Sequence, residues 1–550
     1  MTSFSRISSV FQSTRRDFLK DISLLALSSA ALLPDLSAQS TNSVVAETAF
    51  GKVRGIDNSG IKTFKGIPYG ANTGGANRFM PPAEPPKWTG VRDALVYGHT
   101  APQRDPDRPP PPTGTLLGYD MPPEGEDCLV LNVWTPAIGN DSGKRPVMVW
   151  CHGGGFGTGS GSSPGTDGTN LARRGDVVVV TLNHRLNVLG FADLSEFSAD
   201  LAASGDAGML DIVQALKWVR NNISQFGGDP NTVTIFGQSG GGRKVETLLA
   251  MPSAKGLFHR AIIESGAAIK VADREEAIRN AEQLLLKLEV HKGDVRALQQ
   301  LPVEKIMAAY FTVLKDHPAV DQSLFFLPAI DGKILPQHPF YPSASPVSAD
   351  VPVMIGSTRA EMTLFSLDDP SAFSLDDEQM RARVTKLLGS KATAMITLYR
   401  KLNPGASRSD IYFLIASDHR YVAPTMIIAQ RRAALGKGPV YLYYFTWETP
   451  VQGGRLKSPH TMEIPFAFDN VMISARITGG GKDAIALADK VSEAWIAFAR
   501  TGDPNTPKLP HWPTFNAENR ATMVINNISK VVNDPLREQR LAMFQALNFS

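Results

Sequence analysis

The chain of 550 residues is long enough to bury a large hydrophobic core, and this length allows several domains or one unusually large one. Hydrophobic residues make up 43% of the sequence and charged residues 20%, a composition that excludes an intrinsically disordered chain. The formal net charge is only +3 and no block of like charge stands out, so the sequence does not predict a nucleic-acid partner.

The N-terminal segment has the layout of an export signal. The twin-arginine pattern fits residues 14–20, TRRDFLK, and an apolar stretch follows over residues 22–33. This stretch is too short for an ordinary transmembrane helix, so no stable membrane span is expected. An amphipathic helix of the mature fold is the alternative interpretation. We predict a twin-arginine signal peptide over residues 1–38, cleaved after Ala38, and a bacterial protein that is exported to the periplasm or secreted.

The first predicted elements of the mature chain are strands. Residues 44–56 predict a hairpin, and residues 63–69 predict a further strand. An extended, locally stiff surface loop is predicted over residues 105–125, because residues 109–112 are four consecutive prolines. A linker between two domains is the alternative for this stretch.

From residue 129 onward, short apolar runs alternate with helical patterns. This alternation predicts an α/β fold with a mainly parallel sheet flanked by helices, to which the opening hairpin adds antiparallel strands at one edge. The predicted strands cover residues 129–134, 147–151, 177–182, 232–236, 260–264, 351–355 and 441–446, and the predicted helices cover residues 208–226, 274–288 and 484–500.

The sequence contains two cysteines, Cys128 and Cys151, and both lie in or beside apolar strand-like runs. Buried, unreactive thiols are therefore the preferred interpretation over a disulfide or a metal site. The sequence shows no cluster of metal-ligand residues, and we predict neither a metal nor another cofactor.

Consecutive glycines follow the predicted strand over residues 147–151, in the segment 152–156, HGGGF. Glycines let backbone N–H groups turn toward one point without obstruction, as an oxyanion hole requires. We therefore predict that the amides of Gly154 and Gly155 are oxyanion donors. The alternatives are a merely flexible loop and a phosphate-binding loop, although neither glycine spacing typical of phosphate-binding loops fits this segment.

A serine between glycines follows the predicted strand over residues 232–236, where residues 237–241 read GQSGG. This is the G-x-S-x-G pattern of a nucleophile elbow, a turn so tight that side chains two residues from the serine would clash. A helix is predicted directly after Ser239, so its N-terminal amides, that of Gly240 included, would complete the oxyanion hole. A glycine-rich turn with a spectator serine is the alternative.

Several segments resemble the type-B carboxylesterase family of the α/β-hydrolase superfamily. Residues 126–133, EDCLVLNV, resemble the second signature of this family, and residues 226–239 resemble the first. The resemblance covers nearly all of the mature chain and implies a single domain over residues 39–550. The fold implied is the α/β-hydrolase fold, with a large, mainly parallel central sheet and helices on both faces. Further similar segments are residues 183–186, 257–266 and 501–505.

The resemblance supplies the remaining catalytic positions. Glu361 ends the segment GSTRAE, which delivers the acid in this family, and His460 begins the segment HTMEIPF, which delivers the base. With Ser239 they imply a Ser-His-Glu triad in the chain order of an α/β-hydrolase. The alternatives are a surface Glu361, a structural His460, and a metal pair of His460 with Glu463 that has no apparent third ligand.

The function that the resemblance implies is that of a serine carboxylesterase, which hydrolyses carboxylic esters through an acyl-enzyme intermediate. An amide or carbamate hydrolase with the same triad is the alternative among enzymes. A catalytically inactive, adhesion-type member of the family is a third interpretation, although such members lack catalytic residues that this chain retains. The expected partner is a small ester, and the sequence defines neither its acyl and alcohol groups nor the oligomeric state.

The chain departs from the family pattern near the predicted site. Gln238 precedes the serine where glutamate is usual, which predicts weaker attraction for cationic substrates. Gly240 replaces the usual alanine, and Met362 replaces the glycine that usually follows the acid. Cholinesterases stack the choline cation on a tryptophan in the loop before residues 126–128. No tryptophan occurs between Arg104 and Gly125, so a cholinesterase is not expected.

Two structural features are also implied by the resemblance. The family pattern predicts two ion pairs, Arg78 with Glu126 and Arg185 with Asp211. The cysteine at the position of Cys128 usually forms a disulfide with an upstream residue, which is an alanine in this chain. We therefore predict that Cys128 is unpaired and that the proline run stiffens the loop in place of the disulfide.

Overall fold

A computed structural model of the protein describes residues 42–106, 122–139, 143–317 and 324–547. The predicted signal peptide, its cleavage site after Ala38 and the proline run over residues 109–112 lie outside these ranges. From Val44 onward, the described residues belong to one compact unit.

Thirteen strands of the described ranges form one sheet. Along the chain they are β1 (Ser43–Thr48), β2 (Gly51–Asn58), β3 (Ile61–Pro68), β4 (Val91–Asp93), β5 (Val130–Thr135), β6 (Arg145–Cys151), β7 (Val178–Leu182), β8 (Gly228–Gln238), β9 (Arg260–Glu264), β10 (Val353–Thr358), β11 (Val440–Phe445), β12 (Ala521–Ile525) and β13 (Lys530–Asn533).

The strand order across the sheet is β1-β2-β3-β5-β7-β6-β8-β9-β10-β11-β12-β13, with β4 paired to β2. The strands from β7 to β12 in this order pair in parallel, and β2, β3 and β5 pair antiparallel on the N-terminal side. The predicted mainly parallel sheet with an antiparallel N-terminal edge is confirmed. Because parallel strands all end at one sheet edge, the loops after β6, β8, β10 and β11 lie at the same edge.

Helices connect the strands and cover the sheet. They are α1 (Thr169–Gly175), α2 (Asn187–Phe191), α3 (Ala207–Asn222), α4 (Gly240–Leu248), α5 (Arg274–Lys287), α6 (Val303–Asp316), α7 (Asp377–Leu388), α8 (Ala392–Leu402), α9 (Arg408–Ser417), α10 (Ala423–Ala433), α11 (Ile464–Ala467), α12 (Ala475–Thr478), α13 (Lys482–Thr501) and α14 (Arg537–Leu547).

The central strands are buried on both faces, as β6 illustrates. Val147 and Val149 belong to one hydrophobic cluster, whereas Met148 and Trp150 belong to another. The first cluster includes residues of α3 and α4, and the second includes residues of α1 and α13. Successive side chains of a strand point to opposite faces, so a continuous apolar run is what a sheet covered on both sides requires.

The structure contains elements that the sequence patterns did not predict. β12 and β13 extend the sheet beyond β11, and β13 adds a second antiparallel edge. β13 is half-buried or exposed throughout, so it lacks the apolar run of a central strand. α7 was also missed, because only Met380 and Val384 of that helix are buried and the apolar stripe is thin.

Both predicted ion pairs are confirmed. Arg78 binds Glu126 through two hydrogen bonds of 2.6 and 2.7 Å, and Arg185 binds Asp211 through bonds of 2.8 and 2.6 Å. Such bidentate geometry is what makes an arginine–carboxylate pair strong. Cys128 is an unpaired buried cysteine, as predicted, and Cys151 is another.

None of the helices in the described ranges combines the length and the hydropathy that crossing a membrane requires.

Candidate active site

Ser239 lies in a strained turn between β8 and α4. Its backbone angles are φ 58° and ψ −122°, a conformation that residues with side chains rarely adopt. A Cβ atom on Gly241 would lie 1.9 Å from the carbonyl oxygen of Cys151, and one on Gly237 would lie 2.6 Å from the same oxygen. Both glycines of the predicted elbow are therefore sterically required, and the serine side chain is left partly exposed.

The predicted glycine loop follows β6 and packs against the start of α4. Gly154 and Gly155 both have left-handed backbones, with φ of 89° and 61°. A Cβ atom on Gly240 would lie 2.4 Å from the backbone nitrogen of Gly155 and 2.2 Å from its carbonyl oxygen. The structure thus brings the predicted oxyanion residues together at the N-terminal end of the helix that follows the serine.

Glu361 lies just beyond β10 and is fully buried. One carboxylate oxygen accepts hydrogen bonds from the Thr358 backbone N–H (2.8 Å) and from the Ser265 hydroxyl (2.7 Å). The other oxygen forms a short hydrogen bond with Nδ1 of His460. The carboxylate is therefore fixed on three sides, and the predicted pair of Glu361 with His460 is brought together.

The imidazole of His460 is held by aromatic rings as well as by Glu361. The ring centroids of Phe365 and Tyr421 lie 4.9 and 4.7 Å from that of His460. Tyr421 belongs to a turn of π-helix over residues 418–422, between α9 and α10. Since π-helical turns are rare and often occur at functional sites, this insertion marks the site independently of the triad residues.

The third member of the predicted triad, Ser239, does not form a hydrogen bond with the histidine in this structure. The side-chain nitrogen of Gln238 lies 3.2 Å from Nε2 of His460, whereas the Ser239 hydroxyl makes no hydrogen bond with a described residue. The serine is thus one residue away from a group in contact with the imidazole. Hydrogen bonds of catalytic groups are often loose in free enzymes and close only when substrate binds.

Two further buried acids lie beside the Glu361–His460 pair. The Ser265 hydroxyl is 3.1 Å from Glu463, and Glu264 accepts a hydrogen bond of 2.7 Å from the Trp495 indole N–H. Burial raises the pKa of Glu264 to about 7. Burial, and then the charge of Glu361, raise the pKa of Glu463 well above its usual range. Closely spaced carboxyls resist ionising together, so Glu463 holds its proton more tightly than an isolated glutamate does.

The sequence patterns did not predict this acidic cluster. Glu463 enters the sequence interpretation only as half of a metal pair with His460. Glu264 ends a predicted strand, and both Glu264 and Ser265 lie in a segment that resembles the family. Within the described ranges, no group of three or more histidine, cysteine or acidic residues is arranged to hold a metal ion. The position of Ser265 directly after a parallel strand was the signal that could have indicated a role in the site.

Met362 fits the turn after Glu361 without backbone strain. It is not among the residues with positive φ, and its backbone N–H donates a hydrogen bond of 3.1 Å to the Ser417 hydroxyl. The glycine that is usual at this position is therefore not required by the backbone of this chain.

Comparisons with known proteins extend along nearly the whole chain. The sequence model described as the carboxylesterase family matches residues 42–544. The para-nitrobenzyl esterase of Bacillus subtilis is 37% identical over 505 residues, which cover 91% of this chain and 98% of that protein. The phenmedipham hydrolase of Pseudarthrobacter oxydans is 35% identical over 493 residues, which cover 88% of this chain and 95% of that protein.

A solved structure shows the same likeness in three dimensions. A carboxylesterase of Geobacillus stearothermophilus superposes with a TM-score of 0.78 at 37% sequence identity. The superposition covers 91% of this chain and 99% of that one. The likeness therefore concerns whole proteins rather than a shared segment.

Proposed function

The chain belongs to the carboxylesterase family, and from this premise we propose that Ser239, His460 and Glu361 are the catalytic triad with which it hydrolyses esters. The protein is a carboxylic ester hydrolase with the α/β-hydrolase fold, similar to type-B carboxylesterases. The proposal concerns which residues of this chain perform the reaction.

The observation that carries the proposal is the buried hydrogen bond between His460 and Glu361 at the sheet edge where the strained Ser239 ends β8. An acid on Nδ1 fixes the imidazole tautomer that leaves Nε2 free as a base. The Gln238 side-chain nitrogen lies 3.2 Å from Nε2 and 3.4 Å from Nδ1, so the tautomer is set by Glu361 rather than by this contact.

The reaction proceeds by covalent catalysis. Ser239 Oγ attacks the ester carbonyl while Nε2 of His460 takes the hydroxyl proton, which requires the serine to replace the Gln238 amide at that nitrogen. Glu361 stabilises the imidazolium, and the amides of Gly154, Gly155 and Gly240 stabilise the oxyanion. The imidazolium then protonates the leaving alcohol. Water attacks the acyl-enzyme by the same route, which releases the acid and restores the serine.

The test is to replace the nucleophile and to label it. Ser239→Ala should lower kcat on a nitrophenyl ester by about 10⁴- to 10⁶-fold, because loss of the nucleophile alone disables a triad. A phosphonate should label the wild-type protein at Ser239. The matched control is Ser253→Ala at an exposed serine, which should leave turnover unchanged. Near-normal turnover by Ser239→Ala, or labelling at another residue, would overturn the assignment. Matched ester and amide substrates would show whether amides are also cleaved.

We also propose that residues 1–38 direct twin-arginine export, so that residues 39–550 form a single-domain enzyme in the periplasm or the medium. The arginine pair and the following apolar stretch of the sequence support this. Replacing Arg15 and Arg16 with lysine should retain the uncleaved protein in the cytoplasm. N-terminal sequencing of the exported wild type should start at Gln39, and export that does not depend on the arginines would contradict the proposal.

A further inference from the structure

A lysine without a charged partner lies within the helix that follows the nucleophile. Lys244 of α4 is completely buried, and no carboxylate pairs with its ammonium group among the described residues. Burial lowers the pKa of Lys244 to about 7. A buried lysine without a counter-charge costs stability, so its presence calls for a specific interaction elsewhere in the structure.

The ammonium group of Lys244 binds both ends of the glycine loop. Nζ donates one hydrogen bond of 2.9 Å to the carbonyl oxygen of His152 and another of 3.0 Å to that of Gly155. These two residues enclose Gly153 and Gly154. One side chain therefore ties the loop that carries two of the oxyanion donors to the helix that carries the third.

Gly240 lies one helical turn before Lys244, on the same face of α4. The backbone of Gly155 approaches it so closely that a Cβ atom at position 240 would lie 2.2 Å from the Gly155 oxygen and 2.5 Å from its Cα. The absence of a side chain at position 240 thus provides the space into which the loop is drawn. Lys244 holds the loop in that space.

We propose that Lys244 is a positioning residue for the oxyanion hole. Its hydrogen bonds fix the carbonyls of His152 and Gly155, so that the intervening backbone keeps the amides of Gly154 and Gly155 directed at the substrate carbonyl oxygen. The inference rests on the proposed function, which assigns these amides as oxyanion donors. Glycine segments lose more conformational entropy on ordering than any others, so a loop of this kind needs a tether to stay pre-organised.

A positioning role and a purely structural role predict different kinetics. Oxyanion donors act in the transition state, so a loosened loop should lower kcat and leave the KM nearly unchanged. A lysine that only stabilised the fold would alter the unfolding temperature without altering kcat of the folded enzyme.

The principal variant is Lys244→Met, which keeps most of the side-chain volume and removes the donor. The expected result is a loss of about 10²-fold in kcat on a nitrophenyl ester, the effect of one missing oxyanion donor, with KM within about threefold of wild type. Labelling of Ser239 by a phosphonate should remain complete but become slower. The matched control is Lys255→Met at an exposed lysine, which should keep wild-type kinetics. Circular dichroism would establish that each variant is folded.

Chemical rescue provides a second test of the same residue. Lys244→Ala leaves a cavity that propylamine can enter, and added propylamine should restore kcat at least tenfold, whereas 1-propanol of the same length should not. Rescue by the amine alone supports the positioning role, because it restores the nitrogen that donates to both carbonyls and not merely the packing.

Gly240→Ala tests the close packing of Gly155 against position 240 while Lys244 is kept. Alanine is usual at this position in the family, but the loop of this chain packs directly onto Gly240. The variant should therefore lower kcat about tenfold or more, because the new methyl group displaces Gly155. The double variant with Lys244→Met should be no slower than the slower single variant, since both changes release the same loop. If the loss in kcat of the double variant equalled the product of the two single losses, Gly240 and Lys244 would not act through the same loop.

The outcomes separate this inference from the function on which it rests. A folded Lys244→Met enzyme with kcat within twofold of wild type, or with its whole loss in KM, would overturn the positioning role. Labelled Ser239 in the wild type would leave the triad intact in either case. If the wild type were not labelled at Ser239, the triad assignment itself would fail.

Discussion

The two sides of Ser239 bury titratable groups of opposite type, an amine on one side and carboxyl groups on the other. On the side of the glycine loop, Lys244 is buried without a carboxylate partner in the described ranges. On the side of His460, the acids Glu264, Glu361 and Glu463 are buried, and no lysine or arginine of the described ranges pairs with them. The nucleophile thus lies between a buried amine without an acid partner in the described ranges and a group of buried acids.

This difference matches the charges that the proposed reaction creates. Negative charge develops on the ester oxygen near the glycine loop, and positive charge develops on the imidazole of His460. The carboxylate of Glu361 on Nδ1 of His460, and the glycine loop that Lys244 holds, are in place before the reaction and stabilise these charges without rearranging. Burying titratable groups around Ser239 is costly for folding. These groups are nevertheless placed on the two sides in the arrangement that favours catalysis.

The largest expected effect comes from removing the charge on the acidic side. Glu361→Gln keeps the size of the side chain but no longer holds the correct imidazole tautomer, so kcat should fall by about 10³- to 10⁴-fold. Initial rates on a nitrophenyl ester at saturating concentration measure this effect. A folded variant that retained more than a tenth of the wild-type kcat would show that the carboxylate on His460 is not required for catalysis.

A matched control is available at Glu448, which follows β11 and pairs with Arg359 of the turn between β10 and Glu361. Glu448 pairs with Arg359 and Lys457 but is well exposed, and Glu448→Gln should change kcat less than twofold. Equal losses in the two variants would indicate a general disturbance of the turn rather than loss of the carboxylate on His460.

The second effect concerns the stability of the protein and the buried amine of Lys244. Burial lowers the pKa of Lys244 from 10.5 to about 7, so between these values the unfolded chain binds a proton that the folded chain does not. The folded state is favoured when the amine of Lys244 is neutral. This contribution to the free energy of unfolding is fully present above pH 10.5 and is lost as the pH falls through about 7. Relative to Lys244→Met, the wild-type free energy of unfolding should therefore rise by roughly 1 kcal/mol per pH unit between pH 7.5 and 8.5.

Equilibrium unfolding in urea at several pH values within this window measures the slope. The comparison of the two proteins cancels the contributions of other groups. Glu246 and Glu264, whose pKa values burial raises to about 7, act with the opposite sign at lower pH. For Lys255→Met, the free energy of unfolding should change with pH as it does for the wild type. The same pH dependence in Lys244→Met would contradict a Lys244 that titrates in this range.

The smallest effect comes from placing a charge between the two sides. Gln238 is buried beside the imidazole, and Gln238→Glu adds a negative group directly before the nucleophile. The ratio of kcat/KM for a choline ester to that for the matched neutral dimethylbutyl ester should rise about fivefold, or about 1 kcal/mol. Gln300→Glu, at an exposed glutamine, should leave this ratio unchanged. An unchanged ratio in Gln238→Glu would show that the charge does not reach the substrate.

Local patterns were sufficient to predict the parts of the site that backbone geometry determines. The elbow around Ser239 and the glycines at 154 and 155 follow from sterics that act within a few residues. The central strands followed from uninterrupted apolar runs. Glu361 and His460 were predicted through family resemblance, because no local pattern distinguishes either residue from a surface acid or a structural histidine.

The features that the sequence did not predict depend on distant contacts. A lysine in a helix normally lies at the surface, so the burial of Lys244 was not expected from its residue type. Its hydrogen bonds go to a loop almost a hundred positions earlier in the chain. The contact of Gln238 with His460 likewise depends on where Tyr421 and Phe365 place the imidazole. One signal was available, since Gly240 and Lys244 are spaced to share a helix face.

The left-handed backbone at Ser239 also limits which nucleophiles this enzyme can use. A β-branched residue is a severe outlier at positive φ, so threonine could not replace the serine without rebuilding the turn. Cysteine has the same branching as serine and would fit the existing backbone. A change from oxygen to sulfur chemistry is therefore open to this protein through a single substitution, whereas a threonine-dependent descendant would need a different turn.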